Sequence, residues 1–111
     1  GETKRDYTYI DDVVRGIVAA TRLLAGRYEL INLGNNRTVT LKELIYCLEE
    51  VFGVKARLRY LPEQPGDVPQ TCADIKKAAA LLGYRPETPL RTGLEEFAHW
   101  LEKHLAIQRV G

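Results

Sequence analysis

The stretch "RDYTYIDDVVRGIVAATR", residues 5–22, decides how the rest of this chain is read. Over 6–10, Tyr7 and Tyr9 alternate with polar neighbours, the period of a half-buried strand. From Val13 the period changes: Val13, Ile17, Ala20 and Leu24 recur at helical spacing and predict a buried stripe. Asp11 or Asp12 stands where an N-cap belongs, because a carboxylate accepts from first-turn amides and suits the positive helix end. Gly26 is placed to stop the helix. Strand and helix account for everything here except Arg5, a guanidinium at the mouth of a half-buried strand.

Downstream, "YELINLG" (28–34) reads as a second strand, and Leu30, Ile31 and Leu33 predict burial on more than one side, as inside a parallel sheet. "TVTLKELIYCLEEVFG" (38–53) carries the clearest helix signature. Thr40 with Glu43 forms a capping box, Leu41, Leu44, Ile45, Leu48 and Phe52 share one face, and Gly53 closes it. "ARLRYL" (56–61) is a further strand candidate, followed by a loop with Pro62, Pro65, Gly66 and Pro69. Asp74 caps a short helix over 75–82 that Gly83 ends, and Thr88 with Pro89 opens a long helix striped by Leu90, Leu94, Phe97, Leu101 and Leu105. Two strands plus an edge are thin for an independent parallel sheet. The chain reads as part of a larger α/β sheet.

At 111 residues it is a single domain or a fragment of one. Sixteen basic against 15 acidic residues leave a net charge of +1, so charge gives no case for nucleic-acid or membrane-surface binding. No apolar run approaches the roughly 20 residues of a membrane span, and no secretory signal opens the sequence. Cys47 and Cys72 lack metal-ligand spacing and are expected as reduced thiols in the cytoplasm. Methionine is absent, which suits a fragment of a longer chain or a removed initiator.

Familiar catalytic signatures are missing. There is no Gly-x-Gly for a dinucleotide loop, no Gly-Lys-Ser/Thr phosphate loop, no His-Glu-x-x-His and no Gly-x-Ser-x-Gly. None of the six tyrosines has a lysine four residues on. His99 and His104 are read as structural, Trp100 as core or flank, and the acid pairs at 49–50 and 95–96 as solvated faces. No catalytic residue and no metal ligand is assigned. Two stretches stand out instead: "RDYTYIDD" and "EQPGDVPQTCAD" (63–74), whose Pro-Gly-Asp turn holds Asp67. A cation and a carboxylate on preset backbone fit a phosphorylated sugar, the guanidinium for phosphate oxygens and the carboxylate for hydroxyls.

At these stretches, with "YELINLGNN" between them, the chain resembles the carboxyl-terminal part of the extended short-chain dehydrogenase family, the NAD-dependent sugar-nucleotide epimerases and dehydratases. "QPGDVP" is most similar to the UDP-glucuronate 4-epimerase branch. The resemblance implies the carboxyl-terminal portion of an extended Rossmann-type fold, helix-rich with two or three short strands. It implies that Arg5 contacts the diphosphate of a UDP-sugar, that Asp67 faces ribose hydroxyls, and that Asp11 and Asp12 are caps. Gln64 stands where galactose-type epimerases have an arginine, with Arg57 or Arg59 available to compensate. NAD belongs to the full-length family. Its Gly-rich loop and Tyr-Lys pair lie in an amino-terminal portion outside this sequence, so the chain alone is expected to bind no NAD, to bind UDP-sugars weakly and to be inactive. Uncovered strand edges predict self-association, as a homodimer for instance. The other readings are the same portion of a UDP-xylose synthase or dTDP-glucose dehydratase, and a free-standing interaction module that reuses the half-fold.

Overall fold

The structure, a computed structural model, describes residues 2–23, 28–62 and 64–110, the last five of these by backbone alone. Strand β1 (Lys4–Arg5) leads to α1 (Ile10–Leu23), then β2 (Val39–Thr40), α2 (Leu41–Phe52), α3 (Lys76–Leu82) and α4 (Leu90–Val110). β1 and β2 pair antiparallel, Lys4 opposite Thr40 and Arg5 opposite Val39. On its other side Lys4 forms an isolated parallel bridge with Gln70. There its N–H donates to the Pro69 carbonyl at 2.9 Å, and its carbonyl accepts from Thr71 at 3.2 Å. β1 is therefore the middle of a small patch joining the chain's start, centre and long loop.

Helix α2 forms as its sequence requires. The Thr40 hydroxyl accepts from the Glu43 N–H at 3.1 Å, the Glu43 carboxylate accepts from the Thr40 N–H at 3.2 Å, and Gly53 ends the helix at φ 69°, a left-handed conformation. Thr40→Ala is expected to cost about 1 kcal/mol of stability, the usual value of an N-cap. Chemical denaturation checks this. Asp74 Oδ1 accepts from the Lys76 N–H at 3.0 Å, and Gly83 closes α3 at φ 63°. α2 packs on α4 and α1 on α3. Arg91 of α4 ties the first pair together, binding Glu50 of α2 as well as Glu95 in its own helix. Around α3, the core gathers Ala78, Leu82 and Tyr84 with Ala19, Ala20, Ile31, Leu33 and Ile75.

Several expectations need correction. Pairing near residue 6 stops at Arg5, and α1 begins at Ile10, so Asp11 and Asp12 lie inside its first turn and are not caps. The face α1 turns inward carries Asp12 and Gly16, while Ile17 of the predicted buried stripe is 51% exposed. Gly16 permits this because a Cβ there would meet both Leu33 methyls at 2.9 Å, so helix and segment touch backbone to side chain. Neither 28–34 nor 56–61 is a strand among the described residues, and 56–61 is exposed throughout. A strand needs a neighbour for its backbone, and the described chain gives these segments none. Leu24 and Gly26 lie outside the described residues. On α4, Leu90, Leu94 and Leu101 are half-buried but Phe97 is exposed, stacked near Trp100, which in turn lies 4.5 Å from the His104 ring. Among the described residues no helix is long and apolar enough to cross a membrane.

Candidate functional site

The β1 patch places the two stretches singled out in the sequence on one framework. Arg5 is half-buried and its Nη1 donates to the Lys4 carbonyl at 2.8 Å. Asp67 sits in the predicted turn: its N–H donates to the Gln64 carbonyl at 3.2 Å, and Gly66 supplies the φ of 88°. A left-handed φ costs glycine little and any side chain more. Gln64 and Asp67 are exposed, and their loop returns through Pro69, Gln70 and Thr71 to hydrogen-bond β1. The backbone next to Arg5 is thus joined to the loop carrying Asp67. Arg57 and Arg59 lie on the exposed 56–61 segment.

Two further carboxylates do more than the sequence suggested. Asp6, next to Arg5, accepts from three backbone N–H groups: Asn35 at 3.0 and 3.1 Å, Asn36 at 3.0 Å and Ala73 at 3.1 Å. It holds the turn after Gly34 and the end of the long loop against β1. Above it the Tyr84 hydroxyl donates to the Gly34 carbonyl at 2.7 Å. Asn36, at φ 55°, takes a left-handed conformation that asparagine tolerates. The signal available in the sequence was the tight "LGNN" turn, whose free amides needed an acceptor.

Asp12 is 1% exposed, accepts from the Thr88 N–H at 3.1 Å and binds Arg15, which also reaches Glu87 at 3.2 Å. Burial pushes its carboxyl up, but hydrogen bonds from the Thr88 and Glu87 backbone and from Arg15 outweigh this and hold it below the usual carboxylate value of 3.8. A carboxyl depressed in the folded state contributes stability above its unfolded value, which is lost as pH falls through the folded one. Stability should therefore drop as pH falls below about 3.8. Asp12→Asn should flatten that part of a denaturation series against pH; an unchanged slope would contradict this role.

Glu49 accepts from the Ala56 N–H at 2.8 Å and Glu50 binds Arg91, so the 49–50 pair closes the end of α2. Cys47 and Cys72 are free thiols, and among the described residues no cluster of His, Cys, Asp or Glu could hold a metal ion.

No family model matches the chain. The UDP-glucuronate 4-epimerase of Thermodesulfobacterium geofontis is 38% identical over 108 residues, covering 96% of this chain and 33% of its own length. The crystal structure of UDP-glucuronic acid 4-epimerase from Bacillus cereus, in complex with UDP-glucuronic acid and NAD, matches with a TM-score of 0.80 and 42% identity over 86% of this chain.

The chain is homologous to part of the nucleotide-sugar 4-epimerases.

A UDP-glucose 4-epimerase from Thermotoga maritima, crystallised with UDP-glucose, agrees at TM-score 0.86 and 36% identity over 95% of the chain. This epimerase homologue spans about a third of these relatives, 31% of the Bacillus chain and 33% of the Thermotoga chain. Its neighbours have Rossmann-type folds, and the helix-rich shape of the described residues, with a two-stranded sheet, is a piece of that architecture.

Proposed function

We propose that this epimerase homologue is the nucleotide-sugar-binding portion of a UDP-glucuronate 4-epimerase and is inactive by itself. Arg5 takes the diphosphate, Asp67 the ribose hydroxyls, and Gln64 lies on the loop of Asp67. The supporting observation is the pair of hydrogen bonds at Lys4, its N–H donating to the Pro69 carbonyl and its carbonyl accepting from the Thr71 N–H, which couples the strand of Arg5 to the loop of Asp67. A guanidinium provides a two-pronged donor for phosphate oxygens, and a carboxylate accepts from vicinal hydroxyls. The glucuronate preference rests on the relatives, 38% and 42% identical for two glucuronate enzymes against 36% for a glucose enzyme, and on Gln64.

NAD is present in the Bacillus structure. The residues of this chain do not fit it: no two glycines are spaced to let a pyrophosphate approach the backbone of a strand-to-helix turn. No step of hydride chemistry is assigned to these residues; they bind and orient.

The test uses a chimera in which this chain replaces the 108 matched residues of the Thermodesulfobacterium relative. There Arg5→Ala should weaken UDP binding by about 1.5–3 kcal/mol, the scale of a hydrogen bond to a charged group. Asp67→Asn should weaken it less, since the amide oxygen still accepts. Calorimetry showing equal UDP affinity for Arg5→Ala and the parent chimera would remove Arg5 from the site.

A further inference from the structure

The charge around Arg5 does not balance a diphosphate. Such a ligand carries a negative charge on each phosphate, while Arg5 offers a single guanidinium. Its chain neighbour is the Asp6 carboxylate, and the loop hydrogen-bonded to its strand carries Asp67 and a neutral Gln64. A second cation is needed for the local field to favour an anion. Arg57 and Arg59 are poorly placed to supply it. Their segment is exposed throughout, and among the described residues 57–61 make no backbone–backbone hydrogen bond, so none ties them to β1.

Arg37 is placed differently. The Asn36 N–H donates to Asp6 Oδ2 at 3.0 Å, so Arg37 follows directly on a residue held by the neighbour of Arg5. Two residues further on, Val39 pairs with Arg5 itself. The left-handed residue of this turn is Asn36, at φ 55°, so the reversal is complete before Arg37. Residues two apart on extended backbone share a face, which puts Arg37 diagonally across from Arg5. Diagonal neighbours across an antiparallel pair lie about 7–8 Å apart, within reach of long side chains.

The loop of Asp67 is fastened at the same point. Asp6 Oδ2 also accepts from the Ala73 N–H at 3.1 Å, and Cys72 Sγ lies 4.0 Å from Asn36 Oδ1. The strand of Arg5, the turn of Arg37 and the loop of Asp67 therefore meet at one carboxylate. Arg15, Lys77 and Arg91 bind carboxylates. Arg37 is exposed and, among the described residues, has no ion pair and no side-chain hydrogen bond. An exposed arginine is ordinarily only solvated. What distinguishes this one is backbone anchored beside another arginine.

We infer that Arg37 is the second cation of the diphosphate site, gripping the phosphates of a nucleoside-diphosphate ligand together with Arg5. This rests on the nucleotide-sugar site proposed above, and it assigns to the 34–37 turn the cation that Gln64 does not supply.

The experiment titrates the chimera with UDP and with NAD by calorimetry. Arg37→Ala should lower UDP affinity about tenfold, the scale of a hydrogen bond to a charged group. NAD affinity and the denaturation midpoint should not change, because this exposed side chain has no partner to lose. Arg37→Lys should fall between parent and alanine, keeping the charge and losing the fork. Arg57→Ala and Arg59→Ala should each stay within about twofold of the parent. If the chimera does not fold, the 111-residue chain is titrated with inorganic pyrophosphate by nuclear magnetic resonance. The Arg5 and Arg37 side-chain signals should then shift while those of Arg57 and Arg59 stay in place. An Arg37→Ala chimera with parental UDP affinity, a loss confined to Arg57→Ala or Arg59→Ala, or an Arg37 signal indifferent to pyrophosphate would overturn the inference. The two readings fail separately. UDP affinity that depends on Arg5 and not on Arg37 keeps the nucleotide-sugar site and removes the second cation, whereas a parent chimera that binds NAD but no UDP removes the site itself.

Discussion

Asp6→Ala should destabilise the chain by about 3–5 kcal/mol, the largest effect of any single side-chain removal considered for this molecule. The carboxylate accepts from Asn35, Asn36 and Ala73, three backbone donors from two separate segments. Removing it strands donors that are partly shielded from water, and each loses about 1–3 kcal/mol, with exposed Asn36 at the low end because water replaces the lost partner. For a domain whose total stability is about 5–15 kcal/mol, that is a large share. Asp6→Asn should cost less than alanine, since one oxygen still accepts, but its amide would face a backbone donor. Urea denaturation of the three proteins checks the order. If Asp6→Ala lost less than about 1 kcal/mol, solvent would be satisfying those amides and the junction would not depend on the carboxylate.

Gly34→Ala is expected to lose at least about 3 kcal/mol, the upper range for overpacking. An added Cβ would stand 2.5 Å from the Ala73 Cβ and 2.9 Å from Asp6 Oδ2. Neither neighbour can give way cheaply. The Ala73 Cβ moves only with its backbone, which is hydrogen-bonded to Asp6, and the Asp6 carboxylate is held by three N–H groups. Because the two substitutions strike the same junction, their costs should not add: in the Asp6→Ala background the loop is already released, and Gly34→Ala should cost visibly less. Additive losses, read from denaturation midpoints of the double variant, would mean that the glycine and the carboxylate act independently.

The residues that gave local instructions were readable in the sequence. The capping box at Thr40 and Glu43, the left-handed stops at Gly53 and Gly83 and the turn at Gly66 formed where short-range chemistry placed them, whereas α3 starts one residue late, at Lys76, with Ile75 at its N-cap and Asp74 accepting from the Lys76 N–H just outside it. Misreadings came wherever the outcome depended on distant partners. The stripe through Val13 and Ile17 was a true helical pattern, but which face is buried depends on what packs there, and Gly16 with Asp12 took the inward side. Within the predicted strand 28–34, residues 30–33 keep a strand's side-chain pattern as alternating exposure, with no ladder among the described residues.

For the proposed site, Arg5 and Asp67 were singled out because their residue types suit a phosphorylated sugar and a rigid turn presents one of them. Asp6 and Asp12 were not. Both act through backbone amides far along the chain, those of Asn35, Asn36 and Ala73 in one case and Thr88 in the other. Nothing in a local window reveals an acceptor whose donors arrive from so far away. The read of "RDYTYIDD" as a cation, a strand and a helix start thus missed that its acids fasten the surrounding loops.

Binding of UDP by the chimera, with NAD binding as the control for folding, tests most directly whether this chain forms the nucleotide-sugar portion of an epimerase. Titration calorimetry should show both ligands binding, with UDP affinity falling in Arg5→Ala while NAD affinity stays unchanged. A folded chimera that binds NAD but shows no UDP affinity would contradict the assignment.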